Sequence, residues 1–309
     1  MPLRIALIGI GKIARDQHLP ALRADERFDL VAAASYDGVV EGIVNFPDLP
    51  SLLRGGPELD CVSICTPPQA HFDDALLALR AGCHVMLEKP PTATTRQIAL
   101  LTEEAARQGR TLFQSWHSRF AAAVDATRDW LATRQLTGAK IIWKEDVHQW
   151  HLGQQWLREP GGFGVFDPGI NALSLLTEVL PEEVHVERAW LDFPSDQQAP
   201  IAARLLLRTL HGTDIDVEFD FRQQGEQRWD IELQTVNGSA RLTRGGAALE
   251  IDGRRVILGE GLAGEYPRLY ERFAVLCQAG RSEVDVRPFQ LVADAFLVGE
   301  RREVAPHEV

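Results

Sequence analysis

Over its first third the chain alternates short, mostly apolar runs with longer amphipathic ones. Residues 3–8 (LRIALI), 28–35, 60–66, 84–88 and 111–114 have the length and composition of buried strands. Helical spacing lies between them, clearest over 72–81, closed by Gly82, and over 95–108, closed by Gly109. Another helix opens after the first strand and runs through His18. Such alternation predicts a parallel sheet with helices on both faces, whose ligands gather at the carboxyl ends of the strands. Gly9, Ser35, Thr66, Lys89 and Trp116 follow strand ends, so one crevice is expected to collect them.

Past residue 119 the rhythm changes. A helix over 121–134 precedes a strand over 139–147 that runs into a stretch rich in Trp, His and Gln. A glycine loop over 160–164 leads into a helix from Asp167, with Asp167 as its N-cap and Pro168 as its first turn. Segments 185–193, 202–209, 214–222, 229–235, 239–244 and 248–251 then alternate apolar and polar residues. Turns such as Asn237-Gly238 and Asp252-Gly253 join them, which predicts an antiparallel sheet with one wet face. Helices follow over 266–278 and 288–301. The expected fold class is α/β. A Rossmann domain, a doubly wound parallel sheet, covers 1–118, and an α+β domain with a large, mostly antiparallel open sheet covers 119–309. A chain of 309 residues is long enough for two such domains.

Charge narrows the list of partners. A formal net charge of −12 argues against nucleic acid and anionic membrane. No apolar run has membrane-spanning length, and the first residues lack a signal-peptide pattern. Cys61, Cys65, Cys83 and Cys277 sit in apolar contexts, the first two on one face of a strand. They read as buried thiols of a reducing cytosol, so a cytoplasmic protein is expected.

The opening strand runs directly into Gly9-Ile10-Gly11-Lys12-Ile13-Ala14, the dinucleotide fingerprint in its G-x-G-x-x-A form. Gly9 permits the tight turn, Gly11 leaves room for a pyrophosphate against the backbone, and Ala14 lets the helix pack closely. The helix start offers free N–H groups and positive dipole charge, with Lys12 and Arg15 nearby. A nicotinamide cofactor follows. NAD binding favours an acid at the end of the second strand, NADP a nearby Arg. That strand ends Ala34-Ser35-Tyr36-Asp37. Ser35 stands where the acid is expected and can accept a diol or a phosphate, Tyr36 can stack on adenine, and no Arg replaces the acid. NAD or NADP, with dual use, is the expectation.

Five motifs in order carry a resemblance. They are the strand-Gly-x-Gly start, Cys65-Thr66-Pro67-Pro68, Glu88-Lys89-Pro90, Gly161-Gly162 and Asp167-x-Gly169. Over essentially its whole length the chain resembles the glucose–fructose oxidoreductase / inositol dehydrogenase / rhizopine-catabolism (Gfo/Idh/MocA) family. Residues 9–20, 116–119, 143–147 and 164–174 resemble its bacterial aldose 1-dehydrogenase branch, which oxidises the anomeric carbon of L-arabinose or D-galactose to a lactone. The resemblance implies cofactor contacts at Gly9, Gly11, Lys12, Ile13, Ser35, Tyr36, Thr66, Pro67, Glu88 and Lys89. It implies an aldose bound by His117, Glu145, His151, Asp167 and Asn171. It also implies a homo-oligomer formed through the open face of the second sheet.

Each of these residues also has a plainer reading. Lys89 is either a surface lysine at a loop start or a fixed ammonium that stabilises oxyanion character as hydride leaves. Glu88 is a cofactor or lysine contact, or a solvated strand end. Asp167 and Asn171 are four apart and share a helix face. Many family members carry a His where Asn171 stands, and that His is the usual acid–base. Asn cannot take a proton, which leaves Asp167, Lys89 or a water as the base, Asp167 being favoured. An anomeric hydroxyl is more acidic than an ordinary alcohol, so a weaker base suffices. Trp150 and Trp156 read as core or interface aromatics. Asp146, His148 and His151 lack a closed ligand set, and no metal is expected. The rivals are another polyol dehydrogenase of the family, such as an inositol or dihydrodiol dehydrogenase, and a non-catalytic sugar- and nucleotide-binding regulator.

Overall fold

The computed structural model describes residues 1–307. The chain forms two compact units. The first comprises Met1–Trp116 and Tyr266–Val286, the second His117–Glu265 and Arg287–Val309.

In the first unit, β1 (Leu3–Ile8), β2 (Phe28–Ala34), β3 (Val44–Phe46), β4 (Cys61–Ile64), β5 (His84–Leu87) and β6 (Leu112–Gln114) form a sheet in the order β3-β2-β1-β4-β5-β6. Every pairing is parallel. This is the doubly wound order, whose direction reverses between β1 and β4. The helices are α1 (Leu19–Ala24), α2 (Leu49–Gly55), α3 (Pro68–Arg80) and α4 (Thr95–Gln108). A capping box between Thr94 and Gln97 starts α4, and left-handed Gly109 ends it. The expected helix through His18 is present, but its turn Ala14–His18 is π-helical before α1 takes over.

The second unit holds α5 (Val124–Leu131), β7 (Leu136–Lys144), α6 (Val147–Trp150), α7 (Phe166–Val179), β8 (Val184–Pro194), β9 (Ala202–Thr209), β10 (Asp214–Asp220), β11 (Arg228–Thr235), β12 (Gly238–Thr243), β13 (Ala248–Ile251) and β14 (Arg254–Leu258). After α8 (Leu262–Ala279), the chain adds α9 (Arg287–Val298) and β15 (Glu300–Val304) to it. The nine strands run β14-β13-β12-β11-β7-β10-β9-β8-β15, antiparallel except at β10–β7 and β15–β8. Helix α7 lies against this sheet, and Gly169 makes that possible. A Cβ there would meet the Phe219 ring at 2.7 Å, so only glycine lets the helix come this near. The aspartate two residues earlier is thereby carried into the interior.

Several sequence expectations are corrected. The strand expected over 139–147 ends at Lys144, and the Trp/His/Gln stretch begins with α6. Cys65 lies just past β4, so it does not share a strand with Cys61. The helix expected over 288–301 stops at Val298. A Cβ on Gly299 would meet the Ala295 carbonyl oxygen at 2.4 Å, and the chain turns there into β15, an edge strand. Asp167 is not an N-cap: α7 starts a residue earlier, its N-cap is Val165, and no side chain caps it.

The chain does not divide at a single point either. Residues 266–286 pack with the first unit, where Tyr270 and Phe273 set their rings against Phe28. Phe273 also stacks on Phe113.

Candidate active site

In the first unit the glycine turn stands at the switch point of the sheet. Gly9 has φ +82°, and a Cβ there would meet the Thr66 amide nitrogen at 2.7 Å, so the turn is pressed against the end of β4. Around Gly11 a Cβ would meet nothing within 4 Å. That open cradle in front of a helix start fits a dinucleotide pyrophosphate. Ser35 lies at the end of β2, where its hydroxyl accepts the Ile10 amide at 3.2 Å. The strand end and the glycine turn are therefore one structure. Tyr36 is 84% exposed, a ring available for stacking. Lys12 and Ile13 start the helix, with the Lys12 ammonium paired to Asp16. Thr66 turns its hydroxyl to Asp74 at 3.1 Å, and Pro67 is exposed.

Lys89 follows β5, half-buried, with a cis bond to Pro90. Its backbone N–H donates to the buried Glu88 carboxylate at 2.8 Å, so Glu88 is not a solvated strand end. His71 of α3 reaches the same turn. Its Nδ1 lies 3.0 Å from the Pro90 carbonyl oxygen and its Nε2 2.6 Å from that of Thr66. Trp116 is buried and donates its indole N–H to the Asp285 carbonyl.

The second unit brings together Glu145, His151 and Asp167. Glu145, just past β7, is buried. One of its oxygens lies 2.6 Å from His151 Nε2, and the other accepts the Trp229 indole N–H at 2.9 Å. His151 Nδ1 faces the Gln154 amide oxygen at 2.8 Å. Burial alone would push the His151 imidazole below its ordinary value. The Glu145 hydrogen bond and charge, aided by the charge of Asp167 and by Gln154, outweigh burial and hold it above. A cavity beside His151 is walled by Val147, Gln154, Leu157, Pro200 and Phe221. Asp167 is buried, and Asn171, one turn on along α7, is half-buried. His117 is buried too, its Nδ1 2.7 Å from Glu265.

Sequence reasoning passed over Trp229 and Glu265. Trp229 pairs with Trp143 in the β11–β7 register, so only the strand pairing reveals that it serves Glu145. Among the described residues no three His, Cys, Asp or Glu side chains are arranged to hold a metal. No helix among them is long and apolar enough to cross a membrane.

The Glu145–His151 pair makes a signed prediction. Protonation of His151 is favoured in the folded chain, so the stability it lends is fully present below the unfolded value of about 6.5 and is lost as pH rises through the higher folded value. An NMR titration of His151 should give a midpoint above the ordinary value. Glu145→Gln should bring that midpoint down, and an unmoved midpoint would show that the carboxylate is not its cause.

A doubly wound sheet with an open glycine cradle at its switch point is the architecture of a dinucleotide-binding domain. Residues 3–115 match the Gfo/Idh/MocA oxidoreductase family, described by its NAD-binding Rossmann fold. A galactose 1-dehydrogenase of Pseudomonas fluorescens is 45% identical over 303 residues, 98% of each chain. The chain belongs to the Gfo/Idh/MocA family of oxidoreductases. The crystal structure of a D-galactose-1-dehydrogenase from Rhizobium etli superposes with a TM-score of 0.94 at 47% identity, covering 99% of this chain and 98% of that one. A 3-ketoreductase from Actinomadura kijaniata, solved with TDP-benzene and NADP, shares the fold with a TM-score of 0.83 at 20% identity, covering 98% of this chain and all of that one.

Proposed function

We propose that the protein is an aldose 1-dehydrogenase. It oxidises the anomeric carbon of a sugar of the L-arabinose or D-galactose type to the lactone, with NAD+ or NADP+ as acceptor. The full-length likeness to galactose 1-dehydrogenases carries the reading of the substrate. The pairing of Asp167 with Asn171 on α7, beside the hydrogen-bonded Glu145–His151 pair, supplies chemistry that suits it.

A bound nicotinamide would supply the acceptor for the hydride that leaves C1. Gly9, Gly11, Lys12, Ile13, Ser35, Tyr36, Thr66, Pro67, Glu88 and Lys89 would hold or border the dinucleotide. Asp167 takes the proton from the anomeric hydroxyl as the C1–H bond breaks and the carbonyl of the lactone forms. The Lys89 ammonium stabilises the oxyanion character that develops as hydride leaves. Asn171 aligns the anomeric region, and His117, Glu145 and His151 bind the remaining hydroxyls. An Asn in place of the family's usual His leaves the proton to the aspartate. Aldoses suit this arrangement because their anomeric hydroxyl ionises more readily than a secondary alcohol.

A panel of aldoses with NAD+ and NADP+, followed at the nicotinamide absorbance, tests this reading. Turnover of inositol but not of aldoses would replace it with a polyol dehydrogenase. Sugar binding without turnover would make the chain a regulator. We place the protein in the cytoplasm, where its four buried free thiols stay reduced, and propose that it associates through the open face of the nine-stranded sheet. On that face Lys140 and Lys144 pair with Glu218, and Arg241 pairs with Asp230.

Cofactor choice is expected to turn on Ser35. Ser35→Asp adds an acceptor for a ribose diol and repels a 2′-phosphate, so the ratio of kcat/KM for NAD+ over NADP+ should rise. A constant ratio would remove Ser35 from the ribose site.

A further inference from the structure

The end of β5 is held by a cluster of buried polar side chains, of which the chemistry above uses Glu88 alone, at the border of the dinucleotide. Glu88 is 4% exposed, and its carboxylate receives donors from three directions. One oxygen accepts the Lys89 amide at 2.8 Å. The other accepts the Tyr266 hydroxyl at 2.8 Å and lies 3.1 Å from His18 Nε2. A carboxylate only accepts, so His18 Nε2 is the donor of this contact. Nδ1 faces the Tyr270 hydroxyl at 2.7 Å, with Ser63 Oγ at 3.3 Å.

His18 has no exposed surface, and the Tyr266 and Tyr270 rings meet it edge-on at 4.8 and 5.7 Å. It closes the π-helical turn after the glycine cradle, where the Leu19 amide bonds back to the Ala14 carbonyl. Wide turns of this kind concentrate at functional positions. A buried carboxylate persists only where such donors replace its water. One of the groups they fix in place is a backbone amide, that of the residue whose ammonium serves the reacting oxygen.

We propose that His18 is a positioning residue for the reaction. Through Glu88 it fixes the Lys89 amide, and so the direction in which the Lys89 side chain leaves the sheet. The inference rests on the reading of Lys89 as the lysine of the chemistry.

Two substitutions separate reach from bulk. In His18→Asn the amide occupies the Nδ1 region and stops short of Glu88, whereas in His18→Gln an N–H can stand where Nε2 stood. A displacement of about 1 Å in a catalytic group can cost ~10²-fold, so His18→Asn should lower kcat by roughly 10- to 100-fold while the aldose KM moves little. His18→Gln should recover most of that loss. In a Lys89→Ala background His18→Asn should cost no more than about twofold, because a residue acting through another has nothing left to lose. Hydrogen exchange on the ligand-free protein gives a readout independent of turnover. Between residues 88 and 91 only Glu88 and Lys89 have amides, and the Lys89 amide should exchange faster in His18→Asn and near the native rate in His18→Gln.

An unchanged exchange rate at Lys89, kcat of His18→Asn within about twofold of native, or equal costs in both backgrounds would overturn the proposal. Full activity of Lys89→Ala alone would instead remove the reading of Lys89, and exchange would still decide whether His18 holds the amide. If His18→Asn does not fold, Tyr266→Phe removes one donor to Glu88 with the ring kept. It should speed exchange at Lys89, and no change there would also overturn the proposal.

Discussion

Asp167→Asn is expected to lower turnover by ~10²–10⁴, the usual loss when a general base is removed. The fold should be unaffected. The change keeps shape and volume, and because Asp167 is not the N-cap of α7, the ~0.5–2 kcal/mol that a lost N-cap costs does not arise. One side effect is specific. The charge of Asp167 helps to raise the His151 imidazole above its ordinary value, so its removal should lower the His151 midpoint as well. Kinetics and thermal melts on Asp167→Asn, beside Asn171→Ala, decide the question. Asn171→Ala leaves the proton acceptor in place and should mainly raise the aldose KM. If Asp167→Asn keeps its turnover, the base is Lys89 or a water. If it melts early and loses cofactor binding, the residue is structural.

The second large effect is expected at Lys89. Lys89→Ala should cut kcat by ~10²–10³, the cost of losing one donor to a developing oxyanion, with the melting temperature little changed. Lys89 is half-buried, and the turn keeps its backbone hold through Glu88 and His71. Near-native turnover would take Lys89 out of the mechanism. Arg in its place is not a conservative test, since a planar fork cannot stand where a compact ammonium stood.

Much of this architecture is legible in the residues. Wholly buried runs such as Cys61–Ile64 read as strands because parallel strands are covered on both faces. Helix α4 is bounded by a capping box and a left-handed glycine, so its limits 95–108 match the pattern. What escaped the pattern has physical causes. Strand β14 is an exposed edge with almost no buried side chain, so no alternation marks it. Asp167 has the composition of a cap, but a glycine that lets α7 lie on Phe219 is a matter of close packing, which spacing does not encode. Of the site, the strand-end rule places Gly9, Ser35, Thr66 and Lys89 after the strands that bear them. Trp229, Tyr266 and Tyr270 stayed hidden because their partners, Glu145, Glu88 and His18, are 84, 178 and 252 residues away along the chain.

That last separation bears on how the protein is made. The nucleotide-binding unit is not complete when residue 116 leaves the ribosome, because Tyr266–Val286 belongs to it. At ~5–20 residues per second, the gap between those points takes roughly ten to thirty seconds to synthesise. Throughout that interval Phe28 and Phe113 lack the Phe273 ring that stacks on them, and His18 lacks the Tyr270 hydroxyl. The nascent first unit must therefore wait, partly open, while the whole of the large sheet except β15 is translated. An N-terminal fragment cut at the apparent domain boundary would remain in that unfinished condition, and expressed alone it should be prone to aggregation.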